Sequence, residues 1–108
     1  MASRVEHELR QARRFQAEGR AGRARVCARR AAGWSVGPTY RRLTGAEPPS
    51  SAMSLLQWYA SHPDTPDPLR QAARRLTVHV TGEHALPHPE DPIEDAQTVI
   101  DALRPPES

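Results

Sequence analysis

The sequence predicts an all-α fold, a compact antiparallel bundle of four to five helices. Three observations carry this. Apolar residues recur at three- and four-residue spacing, with no run of alternating strand pattern. Sixteen alanines, the strongest helix formers, lie among them. Glycine, proline and aspartate clusters then cut the chain into five segments of helical length. At 108 residues there is room for one domain, and no internal repeat divides it.

Helix 1 is predicted over Arg4 to Glu18. Ser3 and Glu6 have capping-box spacing, Val5, Leu9, Ala12 and Gln16 lie on one stripe with Phe15 at its edge, and Gly19 ends the helix. Helix 2 is predicted from Ala21 to about Val36, with Ala24, Cys27, Ala28, Ala31 and Ser35 on one face. Gly37-Pro38 should end or kink it, leaving Thr39 to Leu43 as a last turn or two. Helix 3 follows a Pro48-Pro49 loop, from Ser51 to Ala60, with either Met53, Leu56 and Ala60 or Leu55 and Tyr59 inward. His62 to Asp67 is a proline-stiffened turn. Asp67 as cap and Pro68 in the first turn open helix 4, which the periodicity of Leu69, Ala72, Ala73, Leu76 and Val80 extends to about Thr81. Gly82 to Glu90 is a loop. Asp91-Pro92 repeats the start signal for helix 5, which carries Ile93, Ala96, Ile100 and Leu103 and stops at Pro105-Pro106.

The core these elements can build is thin. Val, Ile, Leu and Phe total 17 residues, so close packing of alanine faces has to do much of the work. Cys27 is the sole cysteine, which excludes an intrachain disulfide and reads as a small core residue. No apolar run approaches the roughly 20 residues that cross a bilayer, and no apolar stretch follows Met1 as a signal peptide requires. A cytoplasmic protein with no membrane association is the expectation.

All 15 basic residues are arginine, and they are unevenly placed. Residues 1–45 hold eleven arginines against Glu6, Glu8 and Glu18, a net charge of +8; residues 46–108 carry a net of −6. Arg14, Arg25, Arg29 and Arg30 are the candidates for polyanion contact, since guanidinium groups grip phosphates in bidentate fashion. Arg25 and Arg29 repel one another at i,i+4 spacing, a mild cost that an anionic partner would relieve. The same charges have a second use: they can pair with Glu90, Asp91, Glu94 and Asp95 at the start of helix 5.

Other chemistry is sparse. Five histidines and one cysteine make no zinc pattern, and His84-x3-His88 sits in a proline-containing loop. No nucleophile motif, phosphate loop or dinucleotide fingerprint occurs, so no metal or cofactor is expected. Trp34 and Trp58 read as core or interface anchors, with Arg30 spaced to stack on Trp34.

Two resemblances extend this reading. Ala32-Gly33-Trp34-Ser35-Val36-Gly37, followed by Tyr40-Arg41-Arg42-Leu43, resembles the turn and recognition helix of TetR-type repressors, which implies major-groove DNA binding. Over most of the chain, a different pattern resembles the HEPN (higher eukaryote and prokaryote nucleotide-binding) domains. It consists of a first helix with a glycine turn, Arg23-Ala24-Arg25-Val26-Cys27-Ala28-Arg29-Arg30-Ala31-Ala32-Gly33, Ala73-Arg74-Arg75-Leu76-Thr77, and Asp91-Pro92-Ile93-Glu94-Asp95-Ala96 leading to Ile100. That resemblance implies a small helical bundle, commonly a homodimer. Some members are toxins that cut RNA without metal, using an arginine and a histidine four to six residues apart, a spacing met by Arg74 and His79. Others lack catalysis and bind a nucleotide, RNA or a protein such as a nucleotidyltransferase. On a continuous helix Arg74 and His79 would point about 140° apart, whereas Arg75 and His79 would share a face. The expectation is therefore a non-catalytic HEPN-like binding domain, with the ribonuclease and the DNA-binding repressor as alternatives.

Overall fold

The computed structural model describes residues 3–78 and 91–104. They form five helices: α1 (Arg4–Ala17), α2 (Ala21–Thr44), α3 (Ala52–Ser61), α4 (Asp67–Thr77) and α5 (Pro92–Leu103). No strand occurs among the described residues, and the all-α bundle is as the periodicity predicts.

Local chemistry sets most boundaries. The Ser3 hydroxyl accepts from the Glu6 amide at 3.1 Å and opens α1. Gly19, at φ 77°, closes it. The Gly19 amide donates to Gln16 O at 3.0 Å and the Arg20 amide to Phe15 O at 2.8 Å, the paired bonds of a Schellman motif. Ser51 caps α3 through the Ser54 amide at 3.1 Å, and Asp91 caps α5 through the Ile93 amide at 2.8 Å. Pro92 follows at a position where no amide donor is needed.

Two helices differ from their predicted bounds. The first is α2, which does not end at Gly37-Pro38 but runs unbroken for 24 residues to Gly45, whose left-handed φ of 71° makes the stop. Proline costs the helix one amide donor and crowds the carbonyl four residues earlier, here that of Trp34. Three features offset this. Pro38 faces solvent. Gly37 has no Cβ for the proline ring to strike. Beyond it, the Tyr40 ring packs edge-on against Trp58 of α3 at 5.0 Å, holding the final turns in place. The second is α4. Its cap is Pro66, with Asp67 already helical, and the helix ends at Thr77, where Val78 turns extended (ψ 131°). Val80, Thr81 and the Gly82–Glu90 segment lie outside the described residues, as does Pro105-Pro106.

α2 is the centre of the bundle and touches each of the other four helices. The α1–α2 pair is antiparallel: Arg4 meets Trp34 and Phe15 meets Arg23, so facing residue numbers sum to 38. α5 runs antiparallel to α1, with Gln16 donating to Asp91 at 3.1 Å and Arg13 to Gln97 at 2.8 Å. After the 45–51 loop folds back, α3 starts beside Gly33 and advances towards Tyr40, in the same sense as α2. The core joins Leu9 and Ala12 of α1, Cys27, Ala28, Ala31, Ala32 and Val36 of α2, Leu55, Leu56, Tyr59 and Ala60 of α3, Ala72, Ala73 and Leu76 of α4, and Ile93, Ala96, Val99 and Ile100 of α5. Both predicted faces of α3 are thus used, with Met53 at the edge.

α2 and α3 approach closely at Gly33. A Cβ on Gly33 would lie 2.5 Å from both the Cβ and the carbonyl oxygen of Ala52. Gly33→Ala is therefore expected to force the helices apart and destabilise the fold by about 1–3 kcal/mol. Gly22 on the same helix has nothing within 4 Å, so Gly22→Ala is expected to be neutral or to stabilise by up to about 1 kcal/mol. Urea denaturation of the two variants checks the contrast.

Candidate polyanion-binding face

The four arginines singled out from the sequence do not share one surface. Arg14 is exposed near the end of α1 and pairs with Glu18 at 3.4 Å, which also takes Arg20 at 3.5 Å. Arg30 is exposed on α2. Arg25 and Arg29 are half-buried on another side of that helix. The Arg25 guanidinium donates to the carbonyl of Arg75 at the end of α4, and its Nε is buried with no partner among the described residues. Burial lowers the Arg25 pKa, and neighbouring Arg29 lowers it further, while Asp95 pulls the other way. Arg25 and Arg29 thus belong to an interhelical cluster.

The anchor of that cluster is an ion pair between α4 and α5. Arg75 reaches Asp95 in bidentate fashion, Nη2 to Oδ1 at 2.8 Å and Nε to Oδ2 at 3.0 Å. The Asp95 side chain is 9% exposed and that of Arg75 25%. The expected neutralisation of the helix 2 arginines by the start of helix 5 is therefore met only in small part. Asp95 is held by Arg75, and Asp91 caps its own helix and accepts from Gln16. Glu90 lies outside the described residues, and Glu94 is exposed. On α2, Arg25 feels the Asp95 charge.

The exposed charge sits elsewhere, spread around the α1–α2 hairpin, with Arg4 turned to Trp34 and Arg13, half a turn away on α1, to Gln97 of α5. Arg4, Arg10, Arg13, Arg14, Arg20, Arg23, Arg30, Arg41 and Arg42 are all exposed. On α2, Arg23, Arg30 and Arg41 follow spacings of seven and eleven residues, which return to nearly the same angle on a helix. Arg41 is paired with Glu47 at 2.7 Å. Half-buried aromatic rings interrupt the row. The Arg4 guanidinium lies 3.9 Å from the centre of the Trp34 ring, so Arg4 rather than Arg30 supplies the cation there. Phe15 is flanked by Arg14 and Arg23 at 5.4 and 5.7 Å. Beside Trp34 is a hollow of about 360 Å³ lined by Ser3, Arg4, His7, Glu8, Arg10 and Trp34. The indole Nε1 is buried without a partner among the described residues. A second hollow, of about 340 Å³, lies over Gly37 and Pro38 between Arg41, Arg42 and Pro48.

Arg4, Arg10 and Phe15 were not candidates from sequence, because the antiparallel register that brings them to Trp34 and Arg23 comes from packing. Arg74 is exposed on α4, but the helix ends three residues later and His79 lies outside the described residues. Arg75 is engaged by Asp95. A helix-turn-helix has no place in α2, which passes through residues 32–37 as continuous helix where the motif needs its turn. Among the described residues no group of His, Cys, Asp and Glu could hold a metal ion, and no helix is long and apolar enough to cross a membrane. His62 instead ends α3, its Nδ1 accepting from the Asp64 amide at 3.2 Å. Cys27 is buried under α1; burial and a hydrogen bond to Glu8 push its thiol pKa up. No protein-family model, curated protein or solved structure matches the chain.

Two measurements follow. Asp95→Ala leaves two arginines half-buried without their carboxylate and is expected to cost roughly 2–4 kcal/mol, against about 0.5 kcal/mol or less for Glu18→Gln in the exposed Arg14 pair; thermal or urea unfolding reads both. Cys27 is expected to react with a thiol reagent at pH 8 only as fast as the domain opens, and to react at once in denaturant.

Proposed function

We propose that this domain is a non-catalytic, HEPN-like binding module, working as a homodimer, whose ligand is anionic: a nucleotide or a nucleic acid. The observation that carries the reading is the placement of the charge. Nine of the arginines in the first 45 residues face solvent, and the acidic half of the chain leaves most of them unanswered among the described residues. Charge held outward in this way raises the local concentration of an anion and speeds its encounter. Arginine suits the task because its planar fork meets phosphate with two parallel hydrogen bonds. The exposed row of Arg23 and Arg30, rather than the cluster of Arg25 and Arg29, makes the contact. The HEPN resemblance supports both the binding role and the dimer.

The reading predicts retention on heparin at low salt and release by a few hundred millimolar salt, with light scattering giving the mass of two chains. The double reversal Arg23→Glu and Arg30→Glu is expected to weaken anion binding by tenfold or more with the fold intact by circular dichroism. Arg25→Glu is expected to lower the melting temperature instead, since it brings a second carboxylate against Asp95. Anion binding unaffected by the Arg23 and Arg30 reversals would overturn the proposal.

A further inference from the structure

We infer that the α1–α2 flank takes a single strand of nucleic acid, with one base lodged at Trp34 and the backbone running along the arginine row towards Phe15. The inference rests on the anion-binding reading above and names the ligand of that same face.

Three features of the flank fit a single strand better than a duplex. The first is that the flank offers aromatic surface as well as charge. Trp34 and Phe15 are half-buried, so each ring is anchored on its inner side while an edge or face remains open. Each already has a guanidinium against it, Arg4 at 3.9 Å and Arg23 at 5.7 Å. A nucleobase presents the same flat, polarisable surface that a guanidinium does. It can take the place of Arg4 on the indole and release that arginine to a phosphate. In a duplex the base faces are already stacked on one another and cannot reach a ring on a protein surface. Stacking of this kind belongs to single strands.

The second feature is the hollow at Trp34. Its volume of about 360 Å³ lies near the lower end of small-ligand sites, which run from about 300 to 1,000 Å³. That is room for one nucleotide. Its walls supply donors for phosphate and sugar in Arg4, Arg10, His7 and the Ser3 hydroxyl, and one carboxylate, Glu8, which repels a phosphate and suits the amino or imino groups of a base.

The third is spacing. From Trp34 back to Arg23 is eleven helical residues, about 17 Å at about 1.5 Å per residue. A stacked strand advances about 3.4 Å per nucleotide, so roughly five nucleotides cover the distance between the two rings. Arg30 lies between them on the same helical face. A duplex on this narrow hairpin edge would meet the arginines with its phosphates and leave Trp34 untouched.

The test is fluorescence anisotropy with labelled dT12, rU12 and a 12-base-pair DNA duplex over a salt series, run beside Trp34 emission in a Trp58→Phe chain. The expected result is at least tenfold tighter binding of one or both single strands than of the duplex, with quenching of Trp34 emission by the same strands. A preference between dT12 and rU12 then identifies the sugar. With about four phosphate contacts, the slope of log K against log salt should be near −3, and Arg23→Ala with Arg30→Ala should flatten it by about 1.4. Arg4→Ala, an exposed substitution that leaves the fold in place, should keep the Trp34 quenching while weakening binding. If Trp58→Phe disturbs folding, protection of tryptophan from acrylamide in the wild-type chain gives the same readout. Duplex bound as tightly as single strand, with Trp34 emission unchanged, would overturn this inference and leave the anion-binding reading standing. Failure to bind any of the probes or heparin at low salt would overturn both.

Discussion

Everything in this fold depends on how closely α2 can be approached. Its inward surface is built from Ala24, Ala28, Ala31, Ala32, Gly33 and Gly37, with Cys27 and Val36 the largest side chains among them. Such a surface buries little apolar area per residue, so the stabilisation has to come from many short-range contacts made at small separation. Gly33 against Ala52 is the limiting case, where no methyl group can be admitted. The larger residues come from the surrounding helices, with Leu55, Leu56, Leu76, Val99 and Ile100 filling the space around the alanine surface. A chain poor in large apolar residues thereby gains one continuous core.

Arginine does two separate jobs around that core. Inside, guanidinium groups add hydrogen bonds to backbone carbonyls at helix ends. Arg25 satisfies the last turn of α4 through Arg75 O, and Arg70 donates to the carbonyls of His62 and Thr65 at 3.0 Å each, closing the turn between α3 and α4. Arg75 holds α4 to α5 through Asp95. Outside, Arg23 and Arg30 project from the hairpin with no hydrogen bond or ion pair to another helix among those described. The same residue type in adjacent turns of one helix is split between the two roles by angle alone, with Arg25 and Arg29 turned towards α4 and α5 and Arg23 and Arg30 turned away.

This split explains what the sequence could reveal and what it could not. Signals that act within a few residues were legible: the Ser3 and Asp91 caps, Gly19 as a stop, and the apolar stripes of α1, α4 and α5. Pro38 misled because its local cost is real, and the compensation from Tyr40 on Trp58 and from solvent exposure is tertiary. Asp67 has the chemistry of a cap, yet Pro66 takes the position while the Thr65 hydroxyl is occupied with Tyr59 O at 2.7 Å. The charge imbalance was visible at once, but which arginines face inward depends on the angle between α2 and the α4–α5 pair. Arg4 on Trp34 joins residues thirty positions apart, and only the helix register decides that meeting.

The central claim is that α2 is one uninterrupted helix, because that continuity holds the alanine face in the core and the arginine row on a single outer flank. Backbone chemical shifts and amide hydrogen exchange measured by NMR on the full chain test it most directly. An unbroken run of helical shifts is expected from Ala21 to Thr44, with the slowest-exchanging amides between Ala24 and Val36. A loss of helical shifts at Gly33 to Pro38, with fast exchange on either side, would contradict it.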